Sequence, residues 1–495
     1  MNRGLDRRKF LQRGATAWMG AGILPGLPCV SAKEASLAPR AIQFGAEIEP
    51  LVRLLENTSR AKLLEEVAQR IRKGTTYREV LTALLLAGVR NIQPRPVGFK
   101  FHAVLVVNSA HLASLNSPDA DRWLPLFWAL DYFKGSQARD VEEGDWTMAP
   151  VVEGKVPAAD KARQEFEAAM DAWDEERTDR AITGLVRSAG AQDVFDVMCR
   201  YGARDFRDIG HKAIYVSNSW RTLQTIGWHH AEPVLRSLAY ALLQHRGGNP
   251  SQGNAEADLP GRHNLEALGK IRKDWQGGLL QPKASAELLV VLREGEWKDA
   301  SHLVVALLNK GVSAKSLWDA CFNHAAEMLM RMPGIITLHA STTTNALHFA
   351  HQHTFRDETR RFLLLQAVSF LTLFRKRAAA TKGFLIDQFD PEDGDPGLEE
   401  VFAAVGHDRP AAARLALAHL EKGGDPQTFI DSAQRLIYLK GVDSHDYKFS
   451  SAVLEDCRHL SPSYRNRYLA ASTAWLQGTR REDSSIVART REALG

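Results

Sequence analysis

Cysteine is scarce in this 495-residue chain: Cys29, Cys199, Cys321 and Cys457 are the only four, and no two are close in sequence. Such spacing builds neither a disulfide framework nor a Cys-x-x-Cys metal site. Charge of one sign is lacking as well, since 63 basic and 59 acidic residues leave a formal charge of only +4. No basic run is interleaved with aromatics, so a nucleic-acid groove is not expected. Past the N-terminal region there is no run of ~18 apolar residues, so no membrane insertion of the mature chain is expected. Phosphate-binding loops, Gly-x-Ser-x-Gly elbows, Glu-x-x-His pairs and His-Glu-x-x-His helices are also missing. A flavin or nicotinamide fold is therefore unsupported, and any oxygen chemistry would need a metal.

What the chain does carry is helix. Apolar residues recur at three- and four-residue steps over residues 48–71, 77–86, 159–173, 233–244, 360–375 and 411–420, the period of an amphipathic helix. Alternating runs long enough for strands are rare. The expected fold class is all-α, a duplicated helical-repeat or helix-pair architecture forming one large globular domain. The length exceeds the usual single-core size of roughly 250–300 residues, which suits two fused halves. Turn formers crowd residues 247–253 and continue through Pro260-Gly261, and crowd again at 387–397; both stretches read as loops.

At the N-terminus, Arg7 and Arg8 stand within Asp-Arg-Arg-Lys-Phe-Leu-Gln (6–12). A weakly apolar stretch follows and ends in Val30-Ser31-Ala32. This is the layout of a twin-arginine export signal with a small-residue cleavage site after Ala32. The expectation is a periplasmic or otherwise extracytoplasmic protein whose first partner is the twin-arginine translocase. The segments then read as signal peptide (1–32), linker (33–45), first helical half (46–275), second helical half (283–480) and polar C-terminal tail (481–495).

Four histidines, His102, His211, His339 and His445, each follow a glycine-led helix start at Gly74, Gly190, Gly311 and Gly424. The spacing is 28 residues in the first and third copies and 21 in the second and fourth. That difference of seven is close to two helical turns. Corresponding histidines of the two halves lie 237 residues (102 to 339) and 234 residues (211 to 445) apart, as a tandem duplication would leave them. Cap side chains stand at Thr75-Thr76, Ser313 and Asp425, with Pro426 suited to a first turn. Second glycines at Gly88, Gly202 and Gly441 read as helix stops, after which the next helix opens at or just before the histidine.

Six to eight residues beyond each histidine stand small or amide side chains: Asn108-Ser109-Ala110, Ser217-Asn218-Ser219, Asn345-Ala346 and Ser451-Ala452. They lie about two turns along the same face and let helices approach closely. Four imidazoles from four converging helices suit one iron, copper or zinc ion. In the competing reading each ring packs or caps against a carbonyl and is structural, although buried imidazoles without partners are costly. Lys448 breaks the symmetry. It follows His445 by three residues, on the same helical face, where the second copy has Ile214. An ammonium beside a metal would be repelled, whereas its carbamate with carbon dioxide is an anionic oxygen ligand; a surface lysine is the plain alternative.

Three segments carry a resemblance: Gly210-His211-Lys212-Ala213-Ile214 through Leu223, Gly334 through His339 to Leu347, and Asp443-Ser444-His445-Asp446-Tyr447-Lys448. They resemble the questin oxidase-like proteins at motif level, in an order and spacing that cover most of the mature chain. The resemblance implies an all-α oxygenase that opens anthraquinone-type aromatic rings. It also implies non-haem iron held by His102, His211, His339 and His445 together with a carboxylated Lys448.

Trp228-His229-His230-Ala231-Glu232-Pro233 is the next constellation. His230 and Glu232 are candidates for catalytic proton transfer or positioning, the plain alternative being a helix start with Glu232 on the dipole. His348 and His351 lie nine and twelve residues beyond His339, two to three turns away, and read as a surface cluster. The expected function is an exported, metal-dependent oxygenase, with non-haem iron, acting on an aromatic or quinone-like small molecule. The alternatives are a non-catalytic helical-repeat binding protein and a metal-dependent hydrolase.

Overall fold

Helix pairs fill the computed structural model, which describes residues 41–243, 248–378 and 383–495. The twin-arginine segment and residues 33–40 of the linker lie outside the described residues. Among those described there is no strand, only an isolated bridge between Leu279 and Val312. No described helix is long and apolar enough to cross a membrane. The all-α expectation holds, and both expected halves lie within one compact unit, Ala41–Gly495.

The first half runs α1 (Glu49–Asn57), α2 (Arg60–Arg72), α3 (Tyr77–Asn91), α4 (His102–Leu105), α5 (Val107–Leu115) and α6 (Leu124–Glu142). It continues through α7 (Ala162–Ala172), α8 (Glu175–Ser188), α9 (Ala191–Gly202), α10 (His211–Ile226), α11 (Ala231–Leu242) and α12 (Leu259–Ala267). The second half comprises α13 (Pro282–Glu294), α14 (Trp297–Asn309), α15 (Ala314–Arg331), α16 (Ile335–His353) and α17 (Asp357–Ala378). After the loop expected at 387–397 come α18 (Leu398–Ala404), α19 (Arg409–Glu421), α20 (Pro426–Lys440), α21 (Ser444–His459), α22 (Pro462–Ser472) and α23 (Ser485–Leu494). The helix expected over 48–71 is two, because Thr58 and Ser59 take extended backbone. The C-terminal segment expected as a polar tail contains α23, which packs on α2 and α6 and ties Arg489 to Glu65 at 2.9 Å.

One plan recurs four times: a helix, capped by a side chain in three of the four copies, a short connection, then a helix that carries a histidine near its start. The pairs are α3 with α4–α5, α9 with α10, α15 with α16, and α20 with α21. Thr76 caps α3 in a reciprocal box with Glu79, Ser313 caps α15, and Asp425 caps α20 through two backbone N–H groups. Each cap satisfies N–H groups that have no partner within the helix. The seven extra residues of the long copies are not two turns of one helix. In the first copy they are shared among a later start, a longer α3 and a longer connection than in the second, whereas in the third α15 is itself longer than α20 and His339 enters at the fifth residue of α16.

Gly88 does not stop a helix. It lies inside α3, where an added Cβ would come within 2.8 Å of Val104, so it serves close approach of α3 to α4. Gly202 and Gly441 do stand at helix ends.

The core continues through both halves. α17 is buried along most of its length, from Phe362 to Phe374, and packs on α12, α14, α15 and α16. Its polar residues are satisfied internally, with the Asn264 amide donating to Gln366 at 2.7 Å and to Ser369 at 3.0 Å. Buried polar groups need such partners.

Candidate metal centre

The four histidine-bearing helices form a closed ring, α10 against α16, α16 against α21, α21 against α5, and α5 against α10. The small and amide residues two turns past the histidines knit that ring. Ser217 Oγ donates to the Ala346 carbonyl at 2.8 Å, and Asn218 Nδ2 to the Leu105 carbonyl at 2.9 Å. Asn345 Nδ2 donates to Glu455 and Asp456, each at 2.7 Å. Ser451 Oγ donates to the Ser109 carbonyl at 3.4 Å. Because all four helices point the same way, the side chains at their N-terminal ends converge.

His102, His211, His339 and His445 all meet there. The Nε2 atom of His211 lies 2.9 Å from that of His102 and 2.9 Å from that of His339. His102, His339 and His445 each offer a nitrogen within 4.8 Å of the others. Ring centroids are 4.7 Å apart for His102–His445 and 5.2 Å for His339–His445.

Partners at Nδ1 fix the tautomers of three rings. His211 Nδ1–H donates to the Asp208 carbonyl at 2.6 Å, and His339 Nδ1–H to the Ile335 carbonyl at 2.6 Å. A carbonyl can only accept, so both rings carry the proton on Nδ1 and present a bare Nε2 inward. The His445 Nδ1 faces Asp443 Oδ1 at 2.5 Å, and its Nε2 is buried without a partner. This is the arrangement in which metal-binding histidines are held by outer groups.

Burial pushes His102 and His339 well below the ordinary imidazole range and His211 down to about 3, with Lys448 adding repulsion. All three rings are therefore neutral near pH 7. His102 can satisfy one contact by donating its Nε2 proton to His211. The His211–His339 contact then sets lone pair against lone pair at 2.9 Å. Two nitrogens each ~2.1 Å from a common ion and at right angles to it are about 3.0 Å apart. The spacing of the His211–His339 pair thus suits two ligands of one cation.

Lys448 completes the cluster. It is 3 % exposed, its Nζ has no hydrogen-bond partner, and its field reaches His102, His211 and His339. Burial lowers its amine to about 7, which leaves a neutral, nucleophilic fraction at neutral pH.

The backbone around the quartet is strained. Of the five described non-glycine residues with positive φ, three adjoin these histidines: Phe99 (φ 49°), Asp208 (56°) and Ile209 (46°). A β-branched residue such as Ile209 is a true outlier there, and strain of this kind collects at functional sites. A Cβ added at Gly98 (φ 127°) would stand 3.3 Å from His211 Cε1, so the glycine leaves room for that ring. Asp443, Gly98 and the Asp208 and Ile335 carbonyls are the supporting groups that the histidine pattern alone does not reveal; only Asp443, two residues ahead of His445, carries a sequence signal.

His230 and Glu232 do not join the quartet. His211 opens α10 and His230 lies beyond its C-terminal end, so the helix length separates them by roughly 22 Å. Glu232 pairs with Arg187 at 2.7 Å. The His230 ring lies 3.9 Å from that of His229, and burial lowers its imidazole to about 4. His348 is not on the surface: it is buried between Trp318, Phe322 and His459. The cysteines outside residues 1–40 are buried and unpaired.

No protein-family model matches the chain, and neither a curated protein nor a solved structure is significantly similar to it.

Proposed function

We propose that the chain is a mononuclear metalloenzyme, a non-haem iron oxygenase acting on an aromatic or quinone-like small molecule. His102, His211, His339 and His445 would hold the metal, with Lys448 as a fifth ligand in its carbamate form. The observation that carries this reading is the bare Nε2 pair of His211 and His339 at 2.9 Å, which a cation relieves and a purely structural role leaves repulsive. Iron bound there supplies the oxygen chemistry that no side chain can. The residues themselves do the holding and the screening. Asp208, Ile335 and Asp443 orient three rings, and burial of the quartet keeps bulk water out.

A metal-dependent hydrolase is less well supported. It needs a free general base beside the metal-bound water, and the carboxylate at the quartet, Asp443, is turned onto His445. The aromatic substrate class rests on the motif resemblance, and the Arg7-Arg8 pattern supports export.

The test is metal analysis of protein made without a histidine tag and reconstituted anaerobically, followed by oxygen uptake with a quinone panel. Stoichiometric iron and substrate-dependent oxygen consumption are the expected results. Retention of less than ~0.2 metal per chain sinks the reading, because a closed multi-histidine site keeps its ion.

A further inference from the structure

Arginine edges that hold carboxylates recur in this fold. Arg60 holds Asp131 through Nε at 3.0 Å and Nη2 at 2.6 Å, and Arg236 holds Asp179 in the same way at 2.8 and 2.9 Å. Arg489 holds Glu65 with both distances at 2.9 Å. Nε–H and Nη2–H are parallel donors that match the two oxygens of one carboxylate. Arg204 departs from them. Its Nε and Nη2 are both buried without a partner, a pair orphaned in no other described arginine. Its Nη1 donates to the Met170 carbonyl at 2.9 Å. The closest ion pair it forms is with Asp171, 4.0 Å from that same nitrogen. Its Cζ lies over the rings of Trp173 at 4.8 Å and Tyr201 at 5.1 Å, which steady the cation but do not offset its charge.

Arg204 lines a cleft of about 230 Å³ between the end of α9 and the start of α12, and Arg200 and Arg262 line it too. Among the described residues Arg200 forms no ion pair and packs on the Tyr201 ring, 5.7 Å from its centroid. Arg262 is fixed by neutral oxygens, the carbonyls of Pro250 at 3.1 Å and Ser251 at 3.3 Å and Asn254 Oδ1 at 3.3 Å. Of the two carboxylates in the lining, Asp258 already takes the Arg207 edge. That leaves Asp171, which accepts from the Tyr201 hydroxyl at 3.2 Å, as the one counter-charge to three guanidinium groups. A buried cation with orphaned donors is costly, and water satisfies such donors without cancelling the charge.

The rest of the lining is apolar where it counts: the Tyr201 ring, Leu265 of α12 and Phe362 of α17. We infer that the cleft binds a small organic acid, its carboxylate meeting the Nε–Nη2 edge of Arg204 with Arg200 adding charge, and its apolar part lying on Tyr201, Leu265 and Phe362. The volume is below the roughly 300 Å³ at which pockets for drug-sized ligands begin, which suits an acid of one ring or a short chain. The cleft shares no lining residue with the histidine quartet and needs no metal there.

The experiment is calorimetric titration of the full chain with three probes: benzoate, the neutral benzamide of the same shape, and inorganic phosphate. The expected result is one benzoate per chain and no uptake of benzamide. Arg204→Met should abolish benzoate binding, and Arg200→Ala should weaken it about tenfold, the loss of one charge-assisted contact. Arg139→Ala, an exposed arginine on α6, should change nothing. Should Arg204→Met fail to fold, the exposed Arg200 position still carries the test. Benzoate binding that Arg204→Met or Arg200→Ala leaves intact places the acid elsewhere, the quartet included, and overturns the site. Benzamide binding as tightly as benzoate, or phosphate binding in its stead, overturns the carboxylate assignment. No uptake of benzoate at millimolar concentration overturns the proposal outright.

Discussion

His211 and His339 face each other Nε2 to Nε2 at 2.9 Å while each commits its Nδ1 proton to a backbone carbonyl, of Asp208 and of Ile335. Neutral rings so arranged repel. The bound metal should therefore stabilise the fold, by about 2.7 kcal/mol at a hundredfold excess over its dissociation constant. His339→Leu should abolish the metal-dependent rise in melting temperature yet leave the metal-free protein as stable as before, or more so. A structural histidine predicts the reverse, a metal-free variant that melts lower. Melting curves with and without iron decide between the two.

Asp443 performs two separable tasks. Its carboxylate caps α21 and also holds the His445 Nδ1 proton. Asparagine caps a helix about as well as aspartate, but it brings no charge to the imidazole. Asp443→Asn should thus leave the melting temperature nearly unchanged while metal affinity falls about 10–100-fold. Competition with a chelator reads the affinity.

Gly98 and Gly144 both have strongly positive φ, 127° and 136°, but a Cβ at Gly144 meets nothing within 4 Å whereas one at Gly98 meets the His211 ring. Alanine at either position should cost about 1–3 kcal/mol of backbone strain. Only Gly98→Ala should also weaken metal binding, because only there is a ring of the quartet displaced. Equal affinity in the two variants would show that the contact is not needed.

Much of this centre was legible in the sequence because repeat spacing is a backbone property. Glycine-led starts, caps at Thr76, Ser313 and Asp425, and small residues two turns past each histidine all follow from helix geometry. The His211 and His339 tautomers were not legible. That of His211 depends on a left-handed turn through Asp208, Ile209 and Gly210, where nothing about isoleucine announces positive φ, and that of His339 on a side-chain rotamer that reaches back to the Ile335 carbonyl. The Gly98–His211 contact joins residues more than a hundred positions apart. His230 and Glu232 looked near the site because they follow the second motif closely, but the intervening α10 carries them to its far end. His348 looked like a surface residue because a histidine-rich helix end suggests solvent, yet α16 is buried on every face from Thr337 to Ala350.

Lys448 makes its own prediction. A buried amine without a partner, held near 7 by desolvation, adds to carbon dioxide as the N–C bond forms and a proton leaves. Protein equilibrated with ¹³C-bicarbonate should show one carbamate resonance that disappears in Lys448→Arg. The loss should be accompanied by weaker metal binding, since an oxygen donor goes with it. A resonance that survives the substitution places the carbamate elsewhere.

His324 offers a test of acid stability away from the histidine quartet. It is fully buried on α15, both ring nitrogens lack partners, and Arg293, Arg331 and Arg375 lie near it while Glu327 engages Arg293 and Arg331. Burial, with the three guanidinium charges behind it, holds the ring far below its ordinary value of 6.5. In the unfolded chain the same ring takes up a proton as pH falls through 6.5. The unfolded state then binds a proton that the native state refuses, so native stability drops by about 1.4 kcal/mol per pH unit below 6.5 on account of this residue. Above that pH both states are neutral and the contribution vanishes. His324→Leu removes both the titration and the unsatisfied ring N–H. The variant should be at least as stable as the parent at pH 8, and its advantage should widen steadily between pH 6 and pH 5. Urea unfolding of the metal-free pair across that range measures the difference, and a constant difference from pH 8 to pH 5 would show that His324 gains its proton in the folded protein.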